Sequence, residues 1–480
     1  MPTQPAEAWA ASTRRRRAEP EDDDRRHAIA RALMIVLAVT ALAGVARFWN
    51  LGHPDEKVFD EVYYASDACL YAGHPFEVCD LESATERSWV HPPLAKWLIA
   101  LGIEAFGNDP FGWRFTAAAA GTASVALAGA FAFLLWGRPI WAGVAALLLA
   151  TEHLHFVQSR VAMLDIFLAF FVLLGFTLLL WDRVRQERVD AAADPEADPP
   201  ALGGSGPRWV RVAAGASFAA ATASKWSGIF AWLGGLVLAL IWERSRRARA
   251  GAERPLRAAV REEWPSLVLA FVVVPLAVYA LSWTRWLADH GWDLGRLWSN
   301  HLAIGEYHLE LEPFTASGEP IHPYMSEAWT WLLLLRPVAY YYRDLGPRAA
   351  EILAVGNPLL FWGSLLFLPY LALAWWGQRD RGAGAILVPA LFLYVPWLFV
   401  SRPLFLFYIV PLTPFLALGA TYVLRDIARI RVAERASLGP AVGVAIAVAV
   451  ALFLFFWPVL IGDPISKEAW DARIWFSRWV

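Results

Sequence analysis

Long apolar runs recur along nearly the whole of this chain, and that pattern restricts it more than any other feature. A run near twenty residues long fits an α-helix that crosses a bilayer, because about 20 residues at 1.5 Å each span a hydrocarbon core of about 30 Å. Eleven such runs can be marked, at about 32–46, 115–136, 140–155, 161–181, 210–223, 226–242, 267–286, 358–376, 385–400, 404–424 and 441–461. The first reaches spanning length if Arg31 and Arg47 snorkel to the interface. With 58% hydrophobic residues, the 480-residue chain reads as an all-α polytopic membrane protein and not a soluble one. Its 27 Trp and 28 Phe suit membrane interfaces.

Loop charges test the count. Arg14 to Arg17, Arg138, Arg183, Arg185, Arg188, the cluster from Arg244 to Arg261, Arg379, Arg381 and the arginines from Arg425 to Arg435 all fall on one side. The positive-inside rule then places the N-terminus in the cytoplasm and the C-terminus outside. Residues 1–30, dense in Arg, Glu and Asp, read as a disordered cytoplasmic tail that anchors topology and not as a nucleic-acid-binding arm. Ala41-Leu42-Ala43 resembles a signal-peptidase site, but the spans that follow favour an uncleaved first helix. Pro195, Pro199, Pro200 and Gly203-Gly204-Ser205-Gly206 read as a flexible cytoplasmic linker. No internal repeat of the kind common in transporters is visible.

Residues 31–480 thus form one transmembrane domain with two large outer loops, 50–113 and 287–357, and a four-helix C-terminal part, 358–480. In the first loop, residues 94–106 are too short to span and contain Lys96 and Glu104, which predicts an interfacial helix. The run 329–335 predicts a second one in the long loop. Cys69 and Cys79 share the first outer loop, where either a disulfide or two free thiols fits the spacing.

The remaining ionisable residues gather on the outer side. Asp60, Glu61, Asp67, His91, Lys96 and Arg114 belong to the first loop or its edges, and Arg160 and Asp165 follow Glu152 and His155. Lys225 and Arg402 lie in outer turns, while His308, His322, Tyr324 and Arg336 lie in the long loop. Charges near a bilayer are costly and tend to mark sites or pairs. The plainer readings are a wet surface for Asp60-Glu61, a simple turn for His91-Pro92-Pro93, and a structural ion pair for Arg160 and Asp165. As a helix, 58–67 would put Asp60, Tyr64 and Asp67 on one face, where a carboxylate could act as general base on a hydroxyl. Acids ringed by cations suit a reaction between an anionic lipid-linked donor and an acceptor from outside.

The motifs carry a resemblance. Phe59-Asp60-Glu61-Val62-Tyr63-Tyr64, His91-Pro92-Pro93-Leu94-Ala95-Lys96-Trp97, Phe111-Gly112-Trp113-Arg114-Phe115, Ser159-Arg160-Val161-Ala162-Met163-Leu164-Asp165 and Ser224-Lys225-Trp226-Ser227-Gly228 occur in order. Tyr307-His308, His322-Pro323-Tyr324-Met325-Ser326 and Arg336-Pro337-Val338 extend the series. Together they resemble the protein O-mannosyltransferases, the dolichyl-phosphate-mannose–protein mannosyltransferase family, in a bacterial form. The resemblance implies a GT-C glycosyltransferase in the bacterial plasma membrane. It would carry mannose from polyprenyl-phosphate-mannose, with inversion, to Ser or Thr of secreted proteins met at the Sec translocon. It further implies Asp60 as catalytic base with Glu61 positioning it, supported by Tyr64, Asp67, His91, Lys96, Asp165, His308, His322 and Tyr324. On that assignment the departing lipid phosphate gains charge, which Arg114, Arg160, Lys225 and Arg402 are the candidates to stabilise, and such a leaving group makes a metal dispensable, so none is expected. Eukaryotic members carry a MIR domain in the long loop, and residues 286–359 are too few to hold one. The competing readings are a transferase using the same donor on a glycolipid or cell-wall glycan, and a transporter or flippase.

Overall fold

A computed structural model describes residues 4–81, 89–193, 202–203, 208–315, 317–433 and 436–479. The linker expected between the fourth and fifth runs falls mostly outside these residues. Among the described residues, nine helices are long and apolar enough to cross a membrane. They lie in α1 (Gln4–Phe48), α4 (Pro110–Trp136), α7 (Leu164–Ala193), α9 (Gly228–Arg249), α10 (Pro255–Ser282), α12 (Pro358–Gln378), α13 (Arg381–Phe399), α14 (Leu406–Arg429) and α15 (Gly439–Ile461). The other two of the eleven runs are helical but shorter: α5 (Pro139–Ala150) and α8 (Trp209–Ser224).

Both shortenings have local causes. The third run breaks at Glu152, whose carboxylate accepts the backbone N–H of Leu154 and His155 and so starts a separate short helix, α6 (His153–Gln158). The fifth run stops where Lys225 turns extended, at φ −156 and ψ 135. The chain also departs from expectation at its start. The tail read as disordered is helical from Gln4 and continuous with the first span, its Ala, Glu and Arg being strong helix formers.

Helices outside the spanning set are α2 (Glu61–Tyr71), α3 (Leu94–Phe106) and α11 (Leu294–Glu310). The expected interfacial helix is α3. It buries Ala95, Ile99 and Ile103 and leaves Leu101 and Phe106 exposed. A Cβ on Gly102 would come within 2.3 Å of the Gly112 carbonyl oxygen, so α3 lies nearly backbone to backbone on α4. The run at 329–335 is only a 3₁₀ turn, Ala328–Leu333. After it comes an unexpected antiparallel hairpin, β1 (Val338–Asp344) and β2 (Arg348–Ala354), which β3 (Ile465–Ser466) extends. Its alternation is hidden by three consecutive tyrosines and by a register irregularity between Ala339 and Tyr341.

Within the bundle α4 packs on α1, α5 and α7, and α8 packs on α7, α9 and α10. At one end, Asp60 before α2 lies near Tyr64 of α2, Asp165 of α7 and Lys225 after α8. At the other, an ion network joins α7, α8, α9 and α10. Glu243 accepts from Arg211 at 2.5 Å, Arg247 at 2.7 Å and Arg208 at 3.2 Å, while Glu263 binds all three arginines and Asp182 binds Arg208 and Arg211. Arg246 and Arg247, counted in the sequence among the loop charges of one side, are buried and paired. Removing one partner from such a network leaves uncompensated buried charge. Glu243→Ala should destabilise the fold by about 3–5 kcal/mol, read as a large drop in the thermal midpoint in detergent.

Cys69 and Cys79 form a disulfide, with Cα atoms 5.5 Å apart and both side chains buried. It ties the end of α2 to the following turn, beside Lys57, whose ammonium donates to Ser66 and Asp80 at 2.7 Å each. The bridge closes a short loop, which in the chain-entropy model is worth about 2–3 kcal/mol. Cys69→Ser/Cys79→Ser should lower the unfolding midpoint accordingly, and an unchanged midpoint would count against a bracing part.

Candidate active site

Asp60 stands at the N-terminus of α2, yet its side chain makes no capping hydrogen bond. The carboxylate is not spent on the helix, although this is the position where acids usually cap. Burial pushes its pKa up to about 6. The nearby Lys225 ammonium and a hydrogen bond with Tyr64 oppose that rise, and the Asp165 carboxylate adds to it. Raised to this range, the group can take a proton near neutral pH and still be ionised there.

Glu61 is placed differently. It is fully buried, and each oxygen accepts two hydrogen bonds: Oε1 from Arg114 Nε and Ala162 N, Oε2 from Arg114 Nη2 and Val58 N, all at 2.8–2.9 Å. The remaining donors of Arg114 go to the carbonyls of Leu51, Pro54 and Glu56, at 3.2, 2.8 and 2.8 Å. A guanidinium has five N–H groups, and all five are used. Arg114 is thus turned away from the expected part in phosphate binding: it pins Glu61 and the loop that carries Asp60. Arg160 is redirected too. It donates to the carbonyls of Ala46, Arg47, Trp49 and Asn50 at the end of α1, where a cation also suits the helix dipole.

The structural pair suggested for Arg160 and Asp165 is replaced by another. Lys225 Nζ donates to both Asp165 oxygens, at 2.9 and 3.0 Å, and lies 4.3 Å from the centre of the Tyr408 ring. Arg402 also sits over Tyr408, at 5.4 Å, and its Nη1 is 3.0 Å from His308 Nδ1. His308 Nε2 is 3.0 Å from the Val90 carbonyl, which can only accept. The proton therefore sits on Nε2, and Nδ1 accepts from Arg402. Burial and the Arg402 charge hold His308 down, at about 4, so this neutral tautomer persists at physiological pH.

His91 stacks on His308 at 5.4 Å and faces the Tyr64 ring at 6.2 Å. Burial first, then Lys225, keeps its pKa well below the ordinary histidine value. Its Nδ1 is buried without a hydrogen-bond partner. Lys96 Nζ meets Asp67 Oδ2 at 2.7 Å, and both line a cavity of about 530 Å³ with His91, Trp89 and Trp283. His322 and Tyr324 lie farther out. His322 accepts from the Tyr324 N–H at 3.2 Å and packs on Phe405 at 4.9 Å, and Phe405 in turn meets Phe407 at 5.5 Å and Tyr408 at 5.9 Å.

Asp60, Tyr64, His91, Asp165, Lys225, His308 and Arg402 thus come together, and Glu61, Arg114 and Arg160 form the frame behind them. Sequence reading passed over Tyr408, which sits between the two cations. The aromatic run Phe405-Leu406-Phe407-Tyr408, directly after Arg402-Pro403, was the signal for it.

This arrangement, a half-buried acid among cations at one end of a membrane helix bundle, sits on a known architecture. The chain superposes on the protein O-mannosyltransferase Pmt1-Pmt2 complex of S. cerevisiae bound to the sugar donor with a TM-score of 0.74, at 15% identity, covering 94% of this chain and 92% of that one. ArnT from Cupriavidus metallidurans bound to undecaprenyl phosphate gives 0.55 at 17% identity, over 90% and 76% of the two chains. The fold is that of the GT-C glycosyltransferases. At the level of sequence, the polyprenol-phosphate-mannose–protein mannosyltransferase of Mycobacterium tuberculosis is 32% identical over 94% of this chain and 92% of its own length. That of Mycolicibacterium smegmatis is 31% identical over 92% of each. Residues 37–113 and 106–292 match the dolichyl-phosphate-mannose-protein mannosyltransferase family, and residues 293–479 match the C-terminal four TMM region of protein-O-mannosyltransferase. The chain belongs to this family.

Proposed function

We propose that the protein transfers mannose from a polyprenyl-phosphate-mannose to Ser or Thr hydroxyls of exported proteins, at the outer face of the membrane and with inversion at the anomeric carbon. The observation that carries the mechanism is the uncapped Asp60 carboxylate, raised to about 6, beside two separately anchored cations. Asp60 accepts the hydroxyl proton as the oxygen attacks C1. The C1–O bond to phosphate breaks, and the polyprenyl phosphate leaves with the electron pair. Lys225 and Arg402 bear the charge that grows on the departing phosphate. Each is already anchored, Lys225 by Asp165 and Arg402 by neutral His308, so little reorganisation is needed. The cations supply the charge stabilisation, and the reaction proceeds without a metal. The basic loops support a cytoplasmic N-terminus and an outward site.

Purified protein should transfer radiolabelled mannose from polyprenyl-phosphate-mannose to a Ser/Thr peptide, equally well in EDTA. Label appearing in a glycolipid and not in the peptide would favour the cell-wall reading. Activity lost in EDTA and restored by Mn²⁺ would overturn the metal-free mechanism.

A further inference from the structure

Phe59, immediately before the acid, has φ 49, in the left-handed region that a non-glycine residue seldom occupies. Such a conformation persists only where the surroundings enforce it. Its ring stacks on Tyr340 at 4.5 Å with 15° between the planes, and meets the edge of Phe407 at 5.6 Å. Tyr340 and Phe407 also touch, at 5.7 Å, closing a three-ring cluster. Tyr340 belongs to β1, and its hydroxyl accepts from Gln158 of α6 at 2.5 Å. Farther out on β1, Arg343 pairs with Glu56 of the same acid-bearing loop, at 2.7 Å. The hairpin therefore holds the loop at two points, and the inner one adjoins Asp60.

The neighbours of Phe59 are fixed as well. Val58 is buried and donates its N–H to Glu61, and the Asp60 carbonyl accepts from Tyr63 and Tyr64 at 3.0 Å each. With both sides anchored, the orientation of Asp60 depends on the single residue whose backbone departs from the ordinary regions. We infer that Phe59 is a positioning residue, whose ring, locked against Tyr340 and Phe407, holds the left-handed turn that aims the Asp60 carboxylate at the site. The β1–β2 hairpin, which makes no other contact in the mechanism above, is the external brace for that turn. This inference rests on the reading of Asp60 as the base.

The test is steady-state kinetics of the full-length protein with polyprenyl-phosphate-mannose and a Ser/Thr peptide, run beside wild type and Asp60→Asn. Phe59→Ala should lower kcat by about 10- to 100-fold with each KM within about twofold, since small misplacements of a reacting group cost on this scale. Tyr340→Phe keeps the stack and should stay within about threefold of wild type, whereas Tyr340→Ala should match Phe59→Ala. Combining Phe59→Ala with Tyr340→Ala should cost no more than either alone, because both remove the same contact. Phe59→Gly, which tolerates the backbone without supplying a ring, should remain impaired.

Wild-type kcat in Phe59→Ala, full recovery in Phe59→Gly, or a loss confined to KM would each overturn the inference. If Phe59→Ala does not accumulate, Tyr340→Ala and Phe407→Leu decide by the same criteria. An inactive wild type would sink the proposed activity, and this inference with it. An active Asp60→Asn would sink the base assignment beneath it. Both outcomes are distinct from failure of the Phe59 variants alone.

Discussion

Asp60→Asn should lower kcat by about 10²- to 10⁴-fold, the range that a positioned general base contributes, while the protein folds and accumulates normally. The expectation of normal folding follows from the site. Asp60 makes no capping bond and carries a carboxylate that burial disfavours, so the neutral amide imposes no new desolvation cost. The wild-type pH profile should carry the same signature. A base with a pKa of about 6 is mostly protonated and idle at pH 5, and mostly ionised at pH 7. kcat should therefore rise with pH through about 6 and level off above. A profile flat from pH 5 to 8 together with an active asparagine variant would remove Asp60 from the chemistry. His308, held down at about 4 by burial and Arg402, should contribute no second limb near neutral pH, and burial and Lys225 lower His91 in the same direction.

Arg114→Ala should have a large effect on stability, on the scale of Glu243→Ala. It would leave a fully buried Glu61 with only the Ala162 and Val58 amides, and three carbonyls of the first loop without their donor. Breaking a buried pair from one side costs about 3–5 kcal/mol, a large share of the stability of any domain. The expected result is poor accumulation and a markedly lower thermal midpoint in detergent. Arg114→Lys should recover only part of this, since an ammonium cannot reproduce the planar five-donor fork. The contrary outcome is specific. A variant with an unchanged midpoint but a raised KM for the lipid donor would return Arg114 to phosphate binding, as the charge pattern alone suggested.

Those two residues show how far the linear sequence carries. The density of apolar runs was enough to establish a polytopic helical membrane protein, because spanning length and hydropathy are local properties. The motifs identified the family and singled out Asp60, since residue type and order are written directly in the chain. Even the interfacial helix α3 could be bounded, as its apolar run is flanked by Pro93 and Gly107.

Partnership was not local. Arg114, Arg160 and Lys225 look alike in sequence: isolated cations near the ends of spans. Packing sends the first to Glu61, the second to the carbonyls ending α1, and the third to Asp165, which is 60 residues away. Only the third stays beside Asp60. The hairpin at residues 338–354 was invisible for a related reason: its tyrosine run shows no clean alternation until β2 supplies the pairing. The sequence by itself determined the membrane class and the family, and it nominated Asp60 as the candidate base. Tertiary structure decided which cations face that acid and what holds it in place. Hydrophobic period and residue identity act over a few neighbours, whereas a buried charge takes the partner that packing brings within about 3 Å.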